Sequence, residues 1–170
     1  MIKILHCADL HFDSPFAGVV DAEMAEILRS AALKAFSRLV DLALERQVDA
    51  LTIAGDVYDL ADHGLHALVA FHDQLRRLSV AGIPCCMVAG NHDPLKKRRR
   101  GLVLPAGCHL FGAAAARRAL LSRKGQAFSI YGISFADSAV KEDLAARLIE
   151  AYQEDEGTGA WSAIRSIRRT

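Results

Sequence analysis

No apolar run in the chain approaches the ~20 residues needed to span a bilayer, so no membrane-spanning helix is expected. The N-terminus, MIKILHCADLHF, also lacks the long apolar stretch of a signal peptide, because His6 and Asp9 interrupt it. A charge imbalance is missing too: 21 Lys and Arg stand against 20 Asp and Glu, a net charge of +1. That excludes a basic coat over the whole surface and confines any nucleic-acid footprint to a local patch. Cys7, Cys85, Cys86 and Cys108 show no C-x-x-C spacing. Free thiols buried in a reducing cytoplasm are expected in place of a zinc site or a disulfide framework. There is no internal repeat, and the alanine run 113–116 is too short to be low complexity.

What is present is enough to fold: 170 residues with 52% hydrophobic content can bury a core, most simply in one domain. Residues 2–8 (IKILHCA) are a short apolar run of strand length ending in ADLH. Residues 21–47 read as an amphipathic helix, with Met24, Ile27, Leu28, Ala31, Ala35, Phe36, Leu39, Val40, Ala43 and Leu44 at helical spacing and Asp21 as N-cap. A second strand, 50–55 (ALTIAG), precedes a second helix, 62–80, with Leu65, Leu68, Val69, Leu75 and Leu78 on one face and a stop at Gly82. A third strand, 83–90 (IPCCMVAG), completes a β–α–β–α–β series of near-continuous apolar strands, the pattern of a parallel sheet covered by helices. Later segments carry weaker signals. HLFG, ALLSR and 127–135 suggest shorter strands, 139–153 a third helix, and 154–170 an irregular tail beyond a domain of residues 1–153.

Each of the three strong strands runs into a polar cluster: Asp9 and His11, Asp56 and Asp59, then Asn91, His92 and Asp93. Ligands of open α/β sheets gather beyond the carboxyl ends of the strands, so these clusters converge on one edge. Side chains two apart on an extended backbone leave the same face, which would let Asp9 and His11 share one metal ion. Gly55 and Gly90 allow sharp turns before Asp56 and Asn91; the Asp56 carboxylate has oxygens for two cations and Asn91 offers a neutral carbonyl oxygen. Mixed nitrogen and oxygen donors suit manganese, iron or zinc better than calcium. Two such ions about 3.5–4 Å apart would activate a water and clamp a phosphate. His92 is the candidate general acid, with Asp59 to orient it.

The segments ADLHFDSPF, AGDVYDLAD and AGNHDP resemble the first three motifs of the calcineurin-like metallophosphoesterase superfamily. Their wording is most similar to the DNA-repair exonuclease branch, that of SbcD-like and YhaO-like proteins. The resemblance covers roughly residues 1–135 and is dense in the first hundred. It implies an αββα sandwich, a two-metal site usually served by manganese, and phosphodiester hydrolysis of DNA. By motif it places Asp9, His11 and Asp56 on the first ion and Asp56 and Asn91 on the second, with His92 as acid. It further implies DNA and an SMC-like coiled-coil ATPase as partners; a homodimer is a separate expectation. The D-x-x-D spacing of Asp56 and Asp59 is closer to the phosphatase branch.

The departure from the family pattern is downstream. Members carry a further histidine and a G-H-x-H motif, whereas the last histidine here is His109. The chain therefore looks like the front part of such an enzyme, with its second metal site incomplete. His63 and His66 share a helix face and could replace lost donors, although a solvated surface is the simpler account. The run Lys96, Lys97, Arg98, Arg99 and Arg100 follows the third motif, where it would neutralise DNA phosphates. Three functions are thus expected in order: a metal-dependent DNA nuclease, a phosphatase or small-molecule phosphodiesterase, and a catalytically impaired piece with an interaction role.

Overall fold

The computed structural model describes residues 1–14, 21–58, 65–97, 103–157 and 163–164. Four parallel strands, β1 (Ile4–Cys7), β2 (Ala50–Ala54), β3 (Cys85–Val88) and β4 (Cys108–Leu110), form a sheet in that order. Ile53 sits between Cys7 and Met87 in the ladder, so the carboxyl ends of the first three strands lie level. Two helices, α1 (Ala22–Arg46) and α2 (Leu65–Val80), connect these strands.

Alternation along each strand sorts the side chains. From β2, Leu51 and Ile53 join Cys85 and Met87 of β3 against Phe36, Val40 and Ala43 of α1 and Phe71, Leu75 and Leu78 of α2. Ala50 and Cys86 face the other way, onto Phe111, Phe128 and Ile130. Phe128 and Ile130 belong to a second sheet, β5 (Ala116–Leu121), β6 (Ala127–Gly132) and β7 (Ala163–Ile164). Its β5–β6 pair is antiparallel and its β6–β7 pair parallel. The opposite face of β6 meets α3 (Leu144–Gly157): the rings of Tyr131 and Tyr152 stack edge to face, and the Tyr131 hydroxyl donates to Asp155 at 2.8 Å. The layer order is helix, sheet, sheet, helix, the expected α/β sandwich.

The helix ends follow local chemistry. Asp21 caps α1 by accepting the Glu23 N–H at 2.9 Å. After α2 the chain turns through Gly82 (φ +68), and the Gly82 and Ile83 N–H groups return to the Ser79 and Leu78 carbonyls. The buried stripe of α2 is Ala67, Phe71, Leu75 and Leu78. Leu65 and Val69, expected on that face, are 67% and 51% exposed. At about 100° per residue they fall opposite the stripe. Met24 and Ile27 of α1 are exposed likewise.

Downstream of residue 101 the boundaries shift. The third helix, expected from 139, begins at Leu144 because Asp143 accepts the Ala146 N–H and stops the helix there. Helix α3 runs to Gly157 and β7 lies beside β6, while residues 158–162 and 165–170 of the tail expected from 154 lie outside the described residues. All four cysteines are free and lie in strands. Among the described residues no helix is long and apolar enough to cross a membrane.

Candidate metal centre

Beyond β1 and β2 the two loops run side by side. Asp9 N–H donates to Gly55 O at 3.3 Å, His11 N–H to Asp56 O at 3.0 Å and Phe12 N–H to Val57 O at 2.9 Å. Phe12 anchors this pair from below: fully buried, its ring packs on Phe36, Tyr58 and Phe71. It is a packing group.

The backbone here is not extended. Asp9 (φ 53), His11 (φ 45), Asp13 (φ 61) and Asp56 (φ 51) are all left-handed. The expectation that Asp9 and His11 share a face because the strand continues is therefore corrected in its reason. Left-handed geometry costs roughly 1–2 kcal/mol per non-glycine residue, and such strain collects at functional sites. Its result is a cluster in which the donor atoms of Asp9, His11 and Asp56 all lie within 4.8 Å of one another.

Beside Asp56 the ends of β2 and β3 touch. A Cβ on Gly55 would sit 3.0 Å from Gly90 Cα, and one on Gly90 would sit 2.1 Å from Asp56 Oδ1. The space above Gly90 is thus taken by the Asp56 carboxylate, which also accepts the His92 N–H at 3.0 Å. The His11 and His92 rings meet edge to face at 5.0 Å. Asn91 and His92 are exposed at the mouth of this cluster.

Donors placed about 2.1 Å from one ion lie at most about 4.2 Å apart. The Asp9, His11 and Asp56 cluster is within a small side-chain adjustment of that spacing, and one imidazole with two carboxylates fits a divalent transition metal. The residues present therefore fit the group that the sequence implies.

Asp59, Arg98, Arg99, Arg100 and His63 lie outside the described residues. Lys96 and Lys97 are exposed on a single 3-10 turn, Leu95–Lys97, held by Leu95 N–H to Phe135 O and Lys96 N–H to Ala136 O. Lys96 pairs with Asp137 at 3.0 Å and thereby holds that carboxyl below its ordinary value. His66 is exposed on α2 and is not part of the donor cluster. His6 bonds Thr52 Oγ1 at 2.8 Å.

The sequence placed Asp93 in the third polar cluster but gave it no role. It is 1% exposed and accepts N–H bonds from Asp56, Val57 and Gly90. In G-N-H-D nothing marks which polar residue turns inward; the buried Pro94 behind it is the nearest signal.

A family model described as calcineurin-like phosphoesterase matches residues 2–153. Among curated proteins, the chain is 31% identical over 149 residues to the uncharacterized metallophosphoesterase YhaO of Bacillus subtilis (strain 168), covering 86% of this chain and 36% of that protein. It is 32% identical over 105 residues to the DNA double-strand break repair protein Mre11 of Saccharolobus solfataricus, covering 62% and 26%. To the protein of the same name from Methanosarcina mazei it is 36% identical over 92 residues, covering 54% and 14%. The chain spans about a third or less of the length of these relatives. With donors from two neighbouring strand ends assembled and nine-tenths of its sequence matched, the chain belongs to the calcineurin-like phosphoesterase family.

Proposed function

We propose that this chain supplies the metal-binding front of a phosphodiesterase that hydrolyses DNA. The observation that carries the proposal is the convergence of Asp9, His11 and Asp56 at neighbouring parallel strand ends. The name shared by the Saccharolobus solfataricus and Methanosarcina mazei relatives, a DNA double-strand break repair protein, supports DNA as the substrate.

In this reading Asp9, His11 and Asp56 hold one divalent ion and Asp56 and Asn91 a second; the family resemblance implies manganese, and the mixed donors suit iron or zinc as well. Bound ions of this kind supply a water nucleophile at neutral pH and neutralise phosphoryl charge. The chain's own residues do the rest. Asp56 fixes the His92 backbone through its N–H bond, which leaves the exposed imidazole at the mouth of the site. From there His92 gives a proton to the leaving oxygen, with Asp59 assigned to hold its ring. The cations from Lys96 to Arg100, which follow His92 in the sequence, bind the DNA backbone, and they make affinity fall steeply with salt. Partners fitting this role are an SMC-like ATPase and a second copy of the chain, in the cytoplasm. The exposed Met24, Ile27, Leu65 and Val69, all towards the N-terminal ends of α1 and α2, support a second copy.

One observation favours a second reading. The sequence has no histidine after His109, so a second ion would have only two oxygen donors from this chain by the same mapping. A catalytically silent piece with an interaction role fits that donor count. Hydrolysis of duplex DNA and of a phosphomonoester with manganese, by the chain and by His92→Ala, separates the readings. Manganese-dependent DNA cleavage lost in the variant supports the nuclease. Turnover of the monoester alone moves the assignment to a phosphatase. No turnover that His92→Ala abolishes leaves the silent piece.

A further inference from the structure

We infer that Asp93 is the positioning residue of the metal centre, a carboxylate that fixes the Asp56 turn without itself serving as a ligand. The inference rests on the proposed metal reading and adds a residue to it. Gly55 (φ 75) and Asp56 (φ 51) are consecutive left-handed residues, and the turn they make directs the N–H groups of Asp56 and Val57 to one side. Such concavities of backbone N–H groups bind anions. The Asp93 carboxylate fills this one. Its Oδ1 accepts from Asp56 N at 3.2 Å and Gly90 N at 2.8 Å, and its Oδ2 accepts from Val57 N at 3.1 Å.

A reciprocal lock results. Asp93, on the loop after β3, holds the backbone after β2; Asp56, after β2, holds the His92 backbone after β3. Between the two anchors lie Asn91 and the close approach of Gly55 to Gly90. Moving either carboxylate moves Asp56 relative to both Asp9 and Asn91. At 1% exposure the Asp93 carboxylate has no room for water to take over its bonds. An amide in its place has one acceptor oxygen and would turn its NH₂ towards an N–H.

The test uses manganese alone, titrated into wild type, Asp93→Asn, Asp93→Glu and Val40→Ala. Val40 is a core residue of the helix layer, so its variant reports lost stability without a changed site. Residues that orient metal ligands typically govern affinity by about 10–100-fold, and Asp93→Asn is expected to lose that much per folded chain. Asp93→Glu keeps both acceptor oxygens and should lose less than about tenfold. Amide exchange of Asp56, Val57 and Gly90 should quicken in Asp93→Asn without metal, while that of Leu5 changes only as in Val40→Ala. Manganese affinity and local exchange in Asp93→Asn matching Val40→Ala at equal stability would overturn the inference. If Asp93→Asn does not fold, Asp93→Glu carries the test: affinity below that of Val40→Ala supports it, and equal affinity overturns it. Wild type that binds no manganese removes the metal reading and this inference together. Wild type that binds, with unaffected Asp93 variants, removes the inference alone.

Discussion

Replacing Gly90 by alanine probes the seam between β2 and β3 with a single methyl group. Gly90 has no positive φ, so the perturbation is steric and not conformational. The new Cβ would lie 2.1 Å from Asp56 Oδ1, 2.7 Å from its Cγ and 2.6 Å from its backbone N. Ordinary contact begins at 3.4 Å, so the carboxylate must retreat by 3.4 − 2.1 = 1.3 Å, and the backbone N by 3.4 − 2.6 = 0.8 Å. A rotamer change relieves the first clash but not the second. The retreat breaks the Asp56 N–H bond to Asp93 and the His92 N–H bond to Asp56. Overpacking costs about 1–3 kcal/mol, and each lost hydrogen bond adds about 0.5–1.5 kcal/mol. The expected loss is therefore about 2–6 kcal/mol by urea denaturation, with weaker manganese binding by the folded fraction in calorimetry. Stability within about 0.5 kcal/mol of wild type, the usual range for a neutral surface change, together with unchanged manganese affinity would refute the packing argument.

Other sites offer independent checks. Phe12→Ala empties the centre of a four-ring cluster and should cost about 3–5 kcal/mol in urea denaturation; a loss below about 1 kcal/mol would contradict its anchoring role. Burial lifts the Asp49 carboxyl, but the N–H groups of Lys3 and Arg123 outweigh it and hold the group below its ordinary value. A depressed folded value adds stability above the unfolded carboxyl value, near pH 4, and this is lost as pH falls through the folded value. Urea midpoints of wild type should consequently drop more steeply below about pH 4 than those of Asp49→Asn, and parallel curves would contradict this. Burial pushes the thiols of Cys7 and Cys86 up to about 12 and about 11, while the Cys85 hydrogen bond holds Cys108 below its ordinary value. Alkylation of the native chain at pH 8 should label Cys108 first, as mass mapping will show; Cys7 or Cys86 first would be the contrary result.

The helix-covered sheet was legible because its strands are continuous apolar runs and its helices repeat at 3.6 residues. The site edge followed from those strands, since each one ends in polar donors. Three things were hidden. The left-handed run through Asp9, His11 and Asp13 is set by pairing with the neighbouring loop, a long-range cause that a local pattern does not carry. The inward turn of Asp93 depends on N–H groups 36 and 37 residues away. The second sheet gave weak signals because β5 is largely exposed and its ARRALL sequence lacks a buried face. Helical period alone likewise failed to choose between Ala67 and Leu65 as core, because α2 carries apolar groups on both sides.

The most direct test is a calorimetric titration of manganese into the folded chain at neutral pH, beside an Asp56→Ala control. Asp56 is the donor that reaches both the cluster with Asp9 and His11 and the loop of Asn91 and His92. The account predicts saturable binding of at least one equivalent that Asp56→Ala abolishes. Saturable binding that survives in Asp56→Ala, or none in wild type, would contradict a metal centre at these strand ends.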